Sequence, residues 1–337
     1  MLKYNKTKFE YLDLRDKKRT LEVIKNSGAD VVVNCASWEF GLDVLDACIK
    51  TGVHSLDLGS DIPDTRTMLA KSPILKKAGL IHLTGYGSVP GIGNVMLNYA
   101  AKKFDKIDDV EVGFAWNSNI KKFVVPYSIE SILTEFTYPA PIIHNHKLYT
   151  IKPINTEVKC YHRAIGKENQ INMHHPEMYT FPRFCKNKGV KNVKFFAGFP
   201  DHSFEKIISM IDLGLASEEH INVNGAKVKP IEFMRENLKR IKIPRGYKET
   251  ENLWVELSSK NRKILMECIV QTLDGWEEAG SNIDTGMPAS IIAQMIKEKV
   301  ITKPGSFAPE EIVPPEPFFK ELRKRKMDIL ENGKLIN

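Results

Sequence analysis

A titratable ring, a carboxylate and a cation fall within ten residues at His174-His175-Pro176-Glu177 and Arg183. Histidine exchanges a proton near neutral pH, and the planar guanidinium of arginine grips a carboxylate through two parallel hydrogen bonds. Read as a substrate site, His175 moves a proton, Glu177 supplies the neighbouring charge, and Arg183 or the upstream Arg163 holds a substrate carboxylate. The same residues also suit a surface His–Glu–Arg network, and both readings stay open. A metal site is disfavoured, because adjacent histidines on a strand point to opposite faces. His144-Asn145-His146 reads as an exposed hairpin turn, and Trp116, Phe123, Tyr127, Phe136 and Tyr138 read as core or dimer interface.

A second chemical signal is LIHLTGYGSVPGIGNVMLNYAAKKF, residues 80 to 104, where an apolar run, a glycine cluster and a helix pattern follow one another. The elements before it form a series. KFEYLD reads as a short strand and RDKKRTLEVIKNSG as a helix closed by Gly28. ADVVVNCAS is continuously apolar at Val31, Val32 and Val33, as a strand covered on both faces requires. Ser37 is placed to cap FGLDVLDACIKTG; VHSLDLGS is a further strand, TMLAKSPILKKAG a helix and LIHLT a third strand of the kind. Strand and helix alternating at this spacing make a parallel α/β sheet.

Ligands of such sheets bind beyond the carboxyl ends of the strands. This directs attention to Asp13 and Asp16, Asn34-Cys35-Ala36-Ser37, Asp57-Leu58-Gly59-Ser60 and Gly85-Tyr86-Gly87, any of which alone is equally a turn. The Gly85–Gly91 loop is a poor phosphate cradle. Pro90 lacks the backbone N–H that a phosphate would use, and the acidic pair Asp108-Asp109 stands before the next strand instead of at its end. The loop therefore reads as a late crossover near the reactive end of a cofactor.

From about residue 102 the pattern changes to short strands, VEVGFAWN, KLYTIKP, EVKCYHRAI, VKNVKFFAGF and HINVNGAKVKP, interrupted by helices such as FEKIISMIDLGLA. A mostly antiparallel α+β domain inserted into the first is expected. LWVELSSKNRKILMECIVQ fits a hairpin turning at Ser259-Lys260-Asn261. PASIIAQMIKEKV, with Pro288 near its first turn, reads as a helix returning to the nucleotide sheet, and EEIVPPEPFF as a crossing of the junction. The implied division is 1–101, a partial Rossmann unit; 102–284, a substrate or dimerisation domain; and 285–337, the returning segment.

Composition sets the limits. A length of 337 residues with 42% hydrophobic content allows two cores. The net charge of +7 is dispersed, with no basic run interleaved with aromatics, so nucleic acid is not an expected partner. Five cysteines without a C-x-x-C pair indicate neither a disulfide framework nor a zinc knuckle and suit the cytoplasm. No apolar run approaches the ~20 residues of a membrane span, and no signal peptide is evident.

ADVVVNCAS, GVHSLDLGSD, GYGSVPGIGNVM, MHHPEMYTFPRF, KFFAGFPDHSF and DTGMPASIIAQMIKEKVI, in this order, resemble the saccharopine dehydrogenase family. The resemblance implies a Rossmann-like sheet with an inserted α+β domain, NAD or NADP as cofactor, and hydride transfer to or from an imine of an opine-like amino acid. It places Asn34, Cys35, Ala36, Asp57 and Gly59 on the cofactor side and Pro90, Gly91 and Asn94 near the nicotinamide. For that chemistry the residues themselves suggest His175 or Tyr86 as the proton-transfer group, and Arg163, Arg183 and Glu177 as the substrate contacts. Members of the family usually open with a strand and a G-x-G-x-x-G turn, whereas this sequence starts at what resembles their third strand. The expected partners are a small-molecule substrate, a second copy in a homodimer, and a separate N-terminal Rossmann unit if the chain is part of a split enzyme. A non-catalytic relative is the other alternative.

Overall fold

The computed structural model of the protein describes residues 8–59, 61–125, 127–277 and 280–337. Two sheets organise it. The smaller has four parallel strands in the order Val31–Asn34, His54–Asp57, Ile81–Leu83 and Gly305–Phe307, the last arriving from the far end of the chain. Helix Lys17–Ser27 precedes this series, capped by the Asp16 side chain and closed by Gly28 in the left-handed region. Helix Gly41–Thr51 ends the same way at Gly52.

Several local expectations change here. KFEYLD forms no strand: Phe9 and Tyr11 are 94% and 89% exposed, because no described neighbour supplies a ladder or a covering face. Asp13 pairs with Arg15 and Asp16 serves as a helix cap, so neither reaches a ligand edge. Val31–Asn34 is an edge strand: Val31 packs on the main core and Val32 on the cluster under helices Lys17–Ser27 and Gly41–Thr51, so both faces have cover, but Val33 is left 37% exposed. Ser37 makes no side-chain cap bond; a short 3-10 turn, Trp38–Phe40, intervenes before helix Gly41–Thr51. TMLAKSPILKKAG is split between helices Ile62–Ala70 and Ser72–Ala78, since Pro73 fits the first turn of a new helix. Pro288 lies inside helix Ile283–Lys297, which starts five residues earlier.

The larger sheet has ten strands. Its path runs Lys334–Leu335, Asp328–Glu331, Arg262–Gln271, Glu249–Ser259, Asp109–Ser118, Asn192–Phe199, Ala140–His144 and Lys147–Ile151. Gly166–Asn172 also pairs with Asn192–Phe199 and carries Val158–His162. All pairs are antiparallel except Asp109–Ser118 with Asn192–Phe199. Asn145 and His146, both at positive φ, form the expected hairpin turn. One face buries Val110, Val112 and Phe114 with Leu253, Val255 and Met266, and helix Ile92–Ala101 lies on strands Glu249–Ser259 and Arg262–Gln271.

The sheets are joined through the Gly85–Gly91 loop, which folds back on itself. Gly87 N–H donates to Pro90 O at 2.8 Å and Ile92 N–H to Gly87 O at 3.1 Å. Gly91 sits at φ 136°, and a Cβ there would stand 1.9 Å from Gly87 O, so neither the dihedral nor the space admits another residue. Gly91→Ala is expected to cost at least about 3 kcal/mol and to drop Tm by several degrees or prevent folding; a thermal melt unchanged from wild type would refute the backbone-on-backbone contact.

Candidate functional site

The carboxyl ends of three neighbouring strands supply one wall. Oδ1 of Asp57 accepts from Gly59 N–H at 2.8 Å, Gly85 N–H at 3.0 Å and Thr84 Oγ1 at 3.1 Å. Asp57 thereby fixes two successive strand-end turns. Asn34 is its register partner on the next strand and accepts from Ala36 N–H, leaving Cys35 and Ala36 exposed on an open ledge. Gly59 lies against Pro90. Ser60 is outside the described residues. The structure thus brings Asn34, Cys35, Ala36, Asp57, Gly59, Pro90, Gly91 and Asn94 to the same end of the small sheet and its crossover.

These residues fit the ribose–nicotinamide part of a dinucleotide, with small side chains on the ledge and a close backbone approach at Gly59. The crossover loop does not fit a pyrophosphate. Its amides are consumed internally: Tyr86 N–H donates to Asp57 O, Gly91 N–H to Asn94 Oδ1, and Gly93 N–H to Ser88 O. A helix N-terminus binds phosphate through free N–H groups, and here the first turn has none to spare at Ile92 or Gly93.

Asn94 caps this loop and also donates from Nδ2 to Glu310 Oε2 at 2.9 Å, while Asn98 reaches Glu310 O. Glu310 is fully buried with Oε1 unpartnered, and burial pushes its carboxyl up to about 7 against the lowering effect of Asn94. Tyr86, the other candidate for proton transfer, is fully buried in the main core with its hydroxyl lacking a partner. Burial, then the charges of Glu310, Glu311 and Asp57, raises its pKa well above the ordinary phenol value. It packs the crossover and has no surface from which to exchange a proton with a ligand.

The second wall comes from the large sheet. His175 stacks on Phe195 with ring centroids 3.8 Å apart, and its Nδ1 is in short contact with Glu177 Oε2. Glu177 is wholly buried at the start of helix Glu177–Phe184, with Oε1 unpartnered. His174 is lowered by burial and by the neighbouring His175. Between His175 and Glu177, Pro176 reaches the strand-end wall: with Thr180 it borders a crevice of about 10 Å³ shared with Gly59, Thr84, Gly85, Pro90 and Asn94. This is room for one water.

Neither arginine stands free at this junction. Arg183 pairs with Glu311 at 3.2 Å. Arg163 pairs with Glu267, which is paired in register with Trp254 and so lies on the sheet face opposite Leu253 and Phe114. The structure does not bring Arg163 together with His175.

Four acidic residues missed in the sequence lie buried or half-buried on this side of the large sheet, and one of them, Glu135, reaches His175 electrostatically. Tyr127 donates its hydroxyl to Glu135 Oε2 at 2.5 Å; Glu135 is raised to about 7 by burial, opposed by Tyr127 and His175. Glu249 and Glu251 share a face with Leu253 and Val255, and Asp284 lies close to Glu251. The available signal for two of them was parity: in ETENLWVELSS, Glu249 and Glu251 fall on the same alternation as the buried Leu253, Val255 and Leu257.

An open parallel sheet with its ligand edge at the strand ends, facing a large antiparallel sheet with a histidine at the junction, defines a two-domain dinucleotide-dependent dehydrogenase. Residues 87–328 match the saccharopine dehydrogenase C-terminal domain and residues 2–80 the saccharopine dehydrogenase NADP binding domain. The chain belongs to the saccharopine dehydrogenase family and is an NAD(P)-binding oxidoreductase. It is 23% identical over 333 residues to carboxyaminopropylagmatine dehydrogenase of Synechocystis sp., covering 94% of this chain and 83% of that protein. It is 25% identical over 332 residues to carboxynorspermidine synthase of Vibrio cholerae, covering 90% and 77%. Apo saccharopine dehydrogenase (L-Glu forming) from Saccharomyces cerevisiae shares its fold with a TM-score of 0.74 at 14% identity, over 97% of this chain and 88% of that one. No helix among the described residues is long and apolar enough to cross a membrane.

The buried Glu310 gives a signed pH dependence. Its folded pKa, about 7, exceeds the unfolded value of about 4.3, so the unfolded state loses its proton first and stability falls as pH rises from about 4 to about 7. Glu310→Gln is expected to flatten this slope by up to about 3 kcal/mol and to raise Tm at neutral pH. Urea melts at pH 5 and pH 7.5 that show an unchanged slope would contradict the assignment.

Proposed function

We propose that the protein transfers a hydride between NAD(P) and the C–N bond of an opine-like amino acid, reducing an imine formed from an amine and a carbonyl or oxidising the secondary amine. The observation that carries this reading is that Pro176, the residue after His175, borders the strand-end crevice together with Gly59, Gly85 and Pro90. This contact supports His175 as the proton-exchanging ring near the wall that would hold the nicotinamide. NAD(P), when bound, supplies or accepts the hydride.

The chain's own residues account for the proton. Glu177 engages Nδ1 of His175, so the neutral ring carries its proton on Nδ1 and presents Nε2 as the acceptor. Nε2 then takes the proton from the substrate ammonium in the oxidative direction and returns it in the reductive one. Stacking on Phe195 fixes the ring plane, so little reorganisation accompanies the transfer. The two curated relatives bear the names of carboxylated polyamine conjugates, and we take the substrate here to be of that class: an amino-acid head joined through a secondary amine to a basic tail. Arg183 could meet the carboxylate only by exchanging its partner Glu311.

His175→Gln is expected to lower kcat at least about 100-fold while KM and NADPH affinity stay within about threefold, assayed with carboxynorspermidine and saccharopine in the oxidative direction. Retention of kcat by this variant would remove His175 from the mechanism. We also infer a homodimer. Strands Lys147–Ile151 and Val158–His162 each end a branch of the large sheet, and Leu148, Tyr149, Val158 and Tyr161 on these two edge strands are exposed. Sedimentation at micromolar concentration is expected to show two chains, reduced to one by Tyr161→Lys; a monomeric wild type would overturn this.

A further inference from the structure

Glu249 and Glu251 stand on the buried face of strand Glu249–Ser259, and Asp284 opens helix Ile283–Lys297 beside them. The next residue, Thr285, packs on Gly87 of the crossover loop, so this group borders the proposed reactive end. Glu249 is fully engaged by neutral donors: the Tyr247 hydroxyl at 2.7 Å, and Ser281 N–H and Oγ at 2.8 and 3.0 Å. Asp284 is 2% exposed and its Oδ2 has no partner, whereas Glu251 keeps some contact with solvent. Among the described residues, no Lys or Arg comes within 4 Å of Glu135, Glu249, Glu251 or Asp284.

Carboxylates buried without a cation cost several kcal/mol each in desolvation. Burial first, then the charge of Glu249, pushes Glu251 up against the lowering hydrogen bonds of Ser281 and Asp284, and burial with Glu251 pushes Asp284 up, so the pair favours sharing a proton. Tyr127 and Cys268 also face the pair, Tyr127 in turn holds Glu135, and of these surroundings only His175, which acts on Glu135, can bring positive charge. No group of three described His, Cys, Asp or Glu residues is arranged to hold a metal ion. A primary ammonium is the cation that fits, with three N–H donors and one positive charge.

We propose that Glu251 and Asp284 form a subsite for the cationic amine of the basic tail, with Glu249 and Glu135 adding negative field around it. The assignment rests on the amine-conjugate reading of the substrate. Binding replaces the proton held by the pair with the ammonium, so uptake of the amine releases a proton.

The test is calorimetric titration of the wild-type chain with 1,3-diaminopropane at neutral pH in two buffers of different ionisation enthalpy, with propionate as control. Diamine binding with release of about one proton is expected, and no propionate binding. Glu251→Gln and Asp284→Asn should each weaken the diamine at least about tenfold and abolish the release, with NADPH titration unchanged. Should Asp284→Asn fail to fold, the more accessible Glu251→Gln decides alone. Equal diamine affinity in wild type and Glu251→Gln, or wild type that binds NADPH but not diamine, overturns the subsite. Diamine binding as expected together with no oxidation of any amine conjugate would sink the proposed reaction and leave the subsite standing.

Discussion

Three donors from two different strand ends converge on one oxygen of Asp57, and the ligand-facing edge of the small sheet depends on that convergence. The carboxylate is nearly buried and His82 faces its other oxygen at 3.4 Å without a well-aligned bond. A charged acceptor makes stronger bonds to backbone amides than a neutral one. By holding Gly59 and Gly85 at once, it sets the spacing of two turns that otherwise meet only through the Pro90 ring packed on both glycines and the Tyr86 N–H to Asp57 O bond. The crossover then continues from Gly85 through the Gly87–Gly91 contact into helix Ile92–Ala101, so the position of the second domain follows from the same anchor.

The junction between the domains is acidic. Glu135, Glu177, Glu251, Asp284 and Glu310 all lie at or near it, and their counterparts are tyrosine, histidine, serine or asparagine instead of lysine or arginine. Such groups are stabilised by hydrogen bonds and by a raised tendency to hold protons, which they can give up when a cation arrives. The arginines are kept at its edges, on Glu311 and on the far face of the sheet.

What was legible in the sequence followed from local pattern. The helices closed by Gly28 and Gly52, the parallel strands, and the hairpin at residues 249–271 each carry their own periodicity and caps. The strand Gly305–Phe307 does not: it is three residues long and its partner lies over 200 residues away. Gly166–Asn172 was hidden for another reason. Its sequence, GKENQIN, is polar, yet Glu168, Asn169, Gln170 and Asn172 are buried because Asn117, Asp201, His162 and Phe195 O supply partners from other elements. The site divides in the same way. His175 and Glu177 are neighbours in sequence and could be found together; that Arg163 and Arg183 already have partners, and that Glu251 meets Asp284, is decided only by tertiary packing.

The late arrival of Gly305–Phe307 has a consequence for synthesis. A parallel strand pair needs its crossover completed before any ladder bond forms, and long-range pairing of this kind is slow. Until Gly305–Phe307 has left the ribosome, more than 200 residues after Leu83, the Ile81–Leu83 edge has no neighbour on that side, and Leu80 and Leu83 have no Phe307 strand to lie against. The small sheet therefore spends its early life as a three-stranded nascent unit with an open apolar edge, the kind of surface that chaperones shield.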